Sequence, residues 1–182
     1  SVDQAVSGTG TTQIGGVLTA TTGGVRLDAA TVDINDNIVT SGGLVTLNAS
    51  TLVDLAATKS ITTTAAADSG TTSGAIDINV SGTGTVNLAG NLVSTGAANA
   101  TGNGSIGGAV TVDTANGTIA LANITSTGGA ATAGTDNGGA AGLIAINTGT
   151  NNVITLNASQ LTAAGGATVG GTQGAGATIS FG

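Results

Sequence analysis

The side chains that could carry acid–base or metal chemistry are few in this sequence. Its charged residues are nine Asp, Arg26 and Lys59, and the 182 residues include no Glu, His, Cys or Tyr. General acid–base and nucleophilic catalysis need such groups gathered in one cleft. Arg26 and Lys59 fall at different positions of the repeat described below, so the sequence predicts a protein that is not an enzyme and binds no cofactor.

Asp33 and Asp36 form the closest pair of carboxylates and are the only candidates, weak ones, for metal ligands. Calcium loops place oxygen ligands at alternate positions and close with a Glu, which this sequence lacks. Asp68 and Asp136 lie outside the glycine-rich repeat that calcium-binding solenoids use. Asp is also a common turn residue. The sequence therefore favours solvated turns over a metal site.

A regular series of polar residues follows the apolar segments of the chain. Asp28, Asn48, Asn79, Asp113 and Asn147 each come directly after the second apolar residue of a short alternating segment. Stacked Asn side chains can hydrogen-bond to the layers above and below. A cation site using one of the two Asp residues is the alternative, but two Asn residues separate them in the series. The pattern favours a structural ladder.

The elements that position this ladder are repeats that begin with Gly and an alternating apolar strand. The clearest matches are residues 43–48, 74–79, 108–113 and 142–147, spaced by 31, 34 and 34 residues. A second apolar pair and then a single aliphatic residue follow in each repeat. The single aliphatic is preceded by a second polar series: Asn37, Ser60, Asn91, Asn123 and Gln160. Alternation sends one set of side chains inward and the other outward.

Stacked repeats of this kind predict a right-handed parallel β-helix, or β-solenoid, with three short strands per coil and three sheets. One repeat cannot bury its apolar face, whereas a stack can. We expect one domain over residues 1–182, with coils of about 31–34 residues starting near 24, 43, 74, 108 and 142. Partial coils occupy 1–23 and 176–182. Gly/Ala-rich connections over 96–107, 128–141 and 163–175 would project from one edge.

The predicted core consists of small aliphatic residues, since Phe181 is the only aromatic residue. The first strand of each repeat supplies Val45, Leu47, Ile76, Ile78, Val110, Val112, Ile144 and Ile146. The second strand supplies Val53, Leu55, Val86, Leu88, Ile119, Leu121, Ile154 and Leu156. Because 40% of the residues are hydrophobic and recur regularly, disorder is disfavoured. The abundant Gly, Thr and Asn disfavour helices.

Charge and hydropathy exclude two classes of partner. The net charge of −7 disfavours nucleic acid and anionic membranes. No run of about 18 apolar residues exists, so we expect no membrane span.

The third element of several repeats carries Thr-x-Thr. The matches start at Thr19, Thr62 and Thr125. Such an array resembles the ice-binding face of some antifreeze proteins. Val39, Val93 and Ala164 interrupt it, and Thr is common on exposed strand faces. An ice-binding solenoid is therefore an alternative function and not the first choice.

The segments 43–55, 74–92, 108–124 and 142–161 resemble the filamentous-haemagglutinin-like exoproteins and related giant bacterial repeat adhesins. The resemblance lies in coil pattern and composition over nearly the whole chain. It implies a secreted β-helix that serves as a stalk or adhesin, and an extracellular or cell-surface location.

The two ends of the sequence complement each other. Residues 176–182 and 1–23 together supply 30 residues, close to one coil. We therefore predict a structural extracellular fibre subunit that stacks head to tail, because open solenoid ends favour such contacts. A stalk segment of a large secreted adhesin is the alternative. The Gly/Ala-rich connections offer surfaces for lateral contacts between fibres.

Overall fold

The computed structural model describes residues 1–5, 9–149, 152–157 and 160–182. Within these residues the protein is all-β, with seventeen strands and no helix. The strands are β1 (Val2–Ala5), β2 (Thr11–Ile14), β3 (Leu18–Ala20), β4 (Val25–Ile34), β5 (Ile38–Thr40), β6 (Val45–Leu55), β7 (Ser60–Thr62), β8 (Ile76–Val80), β9 (Thr85–Leu88), β10 (Asn91–Thr95), β11 (Val110–Thr114), β12 (Ile119–Leu121), β13 (Ile124–Thr127), β14 (Ile144–Asn147), β15 (Ile154–Leu156), β16 (Leu161–Ala164) and β17 (Ile179–Phe181).

The described strands form two sheets in which every pairing is parallel. The large sheet has 11 strands, and its main path runs β15-β12-β9-β6-β8-β11-β14-β17. In this sheet β4 joins β6 to β1 and β2. The small sheet has six strands in the order β16-β13-β10-β7-β5-β3. Each strand thus pairs with its counterpart in the neighbouring repeat.

The described strands form two sheets and not the three that were expected. The reason is that β4 and β6 each extend through the first and the second strand position of the repeat. β6 pairs with β8 through residues 45–49 and with β9 through residues 52–55. β4 likewise pairs with β1, β2 and β6, with a register shift between Ala29 and Thr31. The first and second positions therefore belong to one continuous sheet, and only the third position forms a sheet of its own.

Pairing places equivalent residues of successive repeats next to each other. Val45 pairs with Ile76, Ile76 with Val110, and Val110 with Ile144. Alternating residues of each strand point into the core, as the period of two requires. The eight core residues predicted from the first strand of each repeat are all 0% exposed: Val45, Leu47, Ile76, Ile78, Val110, Val112, Ile144 and Ile146.

Two residues predicted for the core lie at its boundary. Leu156 is 46% exposed and Ile154 is only partly buried. Both belong to β15, the edge strand of the large sheet, which has a strand neighbour on one side only among the described residues. Side chains on an edge layer lack the second neighbour that buries their equivalents in β9 and β12. The periodicity that predicted them does not reveal which layer is the last.

The Gly/Ala-rich connections of successive repeats pack on one another and are joined by backbone hydrogen bonds, so that each repeat forms one layer of a stack. Gly129 N donates to Ser105 O (2.8 Å), Gly139 N to Gly129 O (2.9 Å) and Gly166 N to Gly139 O (2.8 Å). A Cβ on Gly139 would overlap the carbonyl oxygen of Ser105. Glycine is therefore required for the close approach of these backbones. The layered connections are 96–107, 128–141 and 163–175.

Candidate functional site

The predicted polar ladder lies in register along the outer face of the large sheet. Its five residues, Asp28, Asn48, Asn79, Asp113 and Asn147, occupy equivalent positions of paired strands. Asn48 Nδ2 donates to Asp28 Oδ1 (2.5 Å), Asn79 Nδ2 to Asn48 Oδ1 (3.3 Å) and Asn147 Nδ2 to Asp113 Oδ1 (2.5 Å). These bonds link successive repeats through side chains, in addition to the backbone pairing.

Arg26 sets the charge state at one end of this ladder. Its Nη2 and Nε donate to Asp28 Oδ2 at 2.6 and 3.0 Å. This bond, followed by the bond from Asn48, lowers the pKa of the Asp28 carboxyl below its ordinary value. The hydrogen bond with Asp28 in turn raises the pKa of the Arg26 guanidinium. Asp28 is therefore held as a carboxylate and serves as a hydrogen-bond acceptor.

A groove of about 760 Å³ lies beside the ladder. Four ladder residues line it with the small residues that follow them: Asp28, Ala29, Asn48, Ala49, Ser50, Asn79, Val80, Ser81, Asp113, Thr114 and Ala115. Three strand spacings separate Asp28 from Asp113, which is about 14 Å. Paired carboxylates in glycosidases lie roughly 5–9.5 Å apart. These two side chains are too distant to share a proton, a substrate bond or one cation.

The two weak metal candidates do not form a site together. Asp33 accepts a hydrogen bond from Gln13 Nε2 at 2.9 Å. Asp36 accepts from the backbone N of Asn37 (2.8 Å) and from Lys59 Nζ (3.2 Å). The Asn37 backbone bond and then the Lys59 bond lower the pKa of Asp36. Within the described residues, no group of three or more His, Cys, Asp or Glu side chains could hold a metal ion.

The second polar series also bonds between layers. Asn37 Oδ1 accepts from the backbone N of Ser60 (2.8 Å), and Asn91 Oδ1 accepts from Asn123 Nδ2 (3.1 Å). Asn123 Oδ1 in turn accepts from the backbone N of Gln160 at 2.9 Å. The side-chain oxygens thus satisfy groups of the adjoining repeat at the corner before the small sheet.

A buried series of hydroxyl groups was not predicted from the sequence. Ser94 Oγ donates to Gly74 O (2.9 Å) and accepts from Gly108 N (2.9 Å). Ser126 Oγ repeats this with Gly108 O and Gly142 N, both at 2.8 Å. Thr40 and Thr63 donate equivalently to Gly43 and Gly74. The signal was present, since each hydroxyl follows the third-position aliphatic by two residues and alternation therefore directs it inward.

The outward face of the small sheet carries the Thr array. Its central row is Thr19, Val39, Thr62, Val93, Thr125 and Thr162, aligned by strand pairing. In the neighbouring row, Thr127 Oγ1 donates to Thr95 Oγ1 at 3.3 Å. No Asp, Arg or Lys lies in either row of the described strands. This surface is uncharged and carries hydroxyl and methyl groups at strand spacing.

These surfaces supply ordered hydrogen-bonding groups without a clustered acid, base and nucleophile among the described side chains. The hydrogen bonds of the two polar series and of the buried hydroxyl groups connect neighbouring repeats. No described helix is long and apolar enough to cross a membrane. No family model, curated protein or solved structure matches the chain.

Proposed function

We propose that the protein is a structural segment of an extracellular or cell-surface fibre, folded as a right-handed parallel β-helix with three strands per coil. The supporting observation is the parallel, in-register pairing of each repeat with the next in both sheets. Backbone hydrogen bonds and stacked aliphatic side chains then resist bending along the axis of the stack. The resemblance to secreted repeat adhesins supports the proposed location, and the net charge of −7 disfavours nucleic acid as a partner.

The exposed sheet edges support self-association head to tail. β15 and β17 are the two ends of the main path of the large sheet, and β16 is an end of the small sheet. Among the described residues, each of these three strands has a paired neighbour on one side only. Leu156 and Phe181, on two of these strands, are 46% and 52% exposed. Unpaired strand edges with apolar side chains recruit further strands. We propose that another layer of the same kind covers them, supplied by a second copy of this chain.

The strand pairing of β1 and β17 limits how a second copy can stack on the first. β1 pairs with β4 as Val2 with Val25, and β17 pairs with β14 as Ile179 with Ile144. Both strands therefore occupy the first position of the repeat. If residues 176–182 of one copy and residues 1–23 of the next formed a single coil, β17 and β1 would both have to occupy its first strand position. A stacking copy must either set its β1 on β17 or displace it.

Sedimentation velocity over a range of concentrations tests stacking through the edges. We expect the unmodified chain to associate and Leu156→Lys to weaken association about tenfold or more, since Lys on an edge strand opposes pairing. Leu143→Lys is the matched control, because Leu143 is 42% exposed but precedes β14 inside the stack. Its association should equal that of the unmodified chain.

The other outcomes distinguish the alternatives. A chain that stays monomeric at every concentration, with both variants unchanged, would overturn head-to-tail stacking. It would favour a stalk segment of a large secreted adhesin, in which further repeats of the same polypeptide cover the edges. Loss of association in Leu143→Lys alone would indicate lateral contacts between fibres and not edge stacking.

A second candidate function, ice binding, is favoured by the uncharged Thr array of the small sheet. Hydroxyl and methyl groups repeat there at strand spacing, about 4.8 Å. Ice-crystal shaping at micromolar protein tests this function. Thr125→Lys should abolish the shaping, whereas Thr111→Lys, on the outer face of β11 in the large sheet, should not. Normal crystals with the unmodified chain would reject the idea.

A further inference from the structure

We propose that Gln173 restricts which layer can cover the last Gly-rich connection, and that the first layer of a second copy of this chain is the one that fits. This inference rests on the proposed head-to-tail stacking and names the two surfaces that meet. It depends on a difference between the last connection, 163–175, and the two before it, 96–107 and 128–141. The difference lies in the return arm, the part of each connection that leads back to the first strand position.

Gly104, Gly138 and Gln173 occupy the same position in the three connections. Gly104 N donates to Asn137 O (2.8 Å), and Gly138 N donates to Thr172 O (3.0 Å). The acceptor of each bond directly precedes the equivalent residue of the next layer, as it does between the paired strands. The series Gly, Gly, Gln therefore runs along the stack at one position.

Glycine is required at this position wherever another long connection follows. A Cβ on Gly104 would overlap the carbonyl oxygen of Gly129, and a Cβ on Gly138 would overlap that of Gly166. Both carbonyls belong to the following layer. Gln173 carries a side chain at the equivalent position and is exposed. A further Gly-rich connection therefore cannot approach the last connection as closely as these connections approach one another.

The first two layers of the chain have short connections, which avoid this overlap. Residues 21–24 join β3 to β4, and residues 41–44 join β5 to β6. A second copy that stacks head to tail sets these two layers above the last connection of the first copy. Its first long connection, 63–75, lies beyond them, which leaves about 10 Å of height for the Gln173 side chain.

The same stacking decides between the two arrangements that are open to β1. If β1 were set on β17, the strand positions above β15 and β16 would stay empty. If β1 displaces β17, then β1, β2 and β3 cover β14, β15 and β16, and all three strands of the last layer are paired. Thr19 of β3 then lies beside Thr162 of β16, because both belong to the central row of the Thr array.

Urea unfolding of single variants tests whether a side chain at this position excludes a following long connection. Gly138→Gln should lower the urea midpoint strongly, whereas Gln173→Gly should leave it nearly unchanged. Gly102→Gln is the matched control, because Gly102 has open space around it. Gly138→Ala supplies a milder loss if the Gln variant does not fold. If both substitutions of Gly138 are tolerated as well as Gly102→Gln, the proposal is overturned.

Disulfide trapping identifies the layer that covers the last connection, since the chain has no Cys. Under mild oxidation, a mixture of Thr19→Cys and Thr162→Cys chains should form a covalent dimer, and neither variant alone should do so. Neighbouring strands lie about 4.8 Å apart, which is within the Cα range of disulfides.

The remaining outcomes separate this inference from the proposed function. A covalent dimer of Thr162→Cys alone would show that two last layers meet, and would overturn the proposal. So would a mixture that associates in sedimentation velocity but does not cross-link. If the unmodified chain does not associate at all, head-to-tail stacking fails and the second copy is excluded as the covering layer, whereas the urea comparison still decides what a side chain at this position excludes.

Discussion

Replacing Ile119 by Asp tests whether the inward row of the second strand position holds the layers together. Ile119 is 0% exposed and lies in β12 between Val86 of β9 and Ile154 of β15. Its side chain contributes to the aliphatic core cluster. A carboxyl at this position would have no partner in its aliphatic surroundings.

The cost can be estimated from the two changes that the substitution makes. Truncating a buried Ile to Ala costs about 2–5 kcal/mol. Burying an unpaired polar group adds about 1–3 kcal/mol, and the carboxyl will be neutral to avoid a larger penalty. The total approaches the whole unfolding free energy of an ordinary domain, about 5–15 kcal/mol. Ile119→Val, by comparison, should cost about 1 kcal/mol.

Urea unfolding followed by circular dichroism measures these differences, since the chain has no Trp or Tyr for fluorescence. Ala120→Asp is the matched control, because Ala120 is the next residue of β12 and alternation directs it outward. It should change the unfolding free energy by only about 0.5 kcal/mol. If Ile119→Asp is no more destabilising than Ala120→Asp, the assignment of the core face is wrong.

Three further predictions concern the layers and the ladder. Ser126→Ala should cost about 1–3 kcal/mol in urea unfolding, because the buried Gly108 carbonyl and the partly buried Gly142 N–H lose their partner; an unchanged midpoint would contradict this role. Gly139→Ala should destabilise the protein strongly, since its Cβ would overlap a neighbouring carbonyl, whereas Gly102→Ala has open space and should be tolerated. The pKa of Asp28 is lowered, so its bond to Arg26 contributes fully to the stability of the folded state above about pH 4. This contribution is lost as the pH falls through the pKa of Asp28 in the folded state. Asp28→Asn should therefore flatten the acid side of a stability-against-pH curve, and an identical curve would exclude this linkage.

The repeating part of the structure could be predicted from the sequence because the same local rules recur in each repeat. Alternation alone identifies Val110 and Val112 as inward and Asp113 as outward. The spacing of 34 residues then places Asp113 beside Asn147, and Asn147 Nδ2 does donate to it at 2.5 Å. In parallel in-register pairing, residues one repeat apart in the sequence lie side by side on neighbouring strands. The ladder can therefore be predicted from the repeat spacing.

Features that depend on breaks in the repeat were not predictable in this way. The joining of the first two positions into one sheet depends on β4 and β6 continuing through the short stretches between their two apolar pairs, and the apolar alternation does not show that these stretches stay extended. The packing of Gly129 against Gly139 depends on backbone contacts between connections that have no apolar periodicity. Leu156 has the same local pattern as Leu121, and only the number of layers makes one exposed and the other buried.

Cryo-electron microscopy of the concentrated 182-residue chain, with the power spectrum of any filaments, tests the proposed fibre most directly. The proposal predicts unbranched filaments with a meridional layer line near 4.8 Å, because strands stacked along the axis repeat at that distance. Compact particles at every concentration, or filaments whose strands run along the axis, would contradict it.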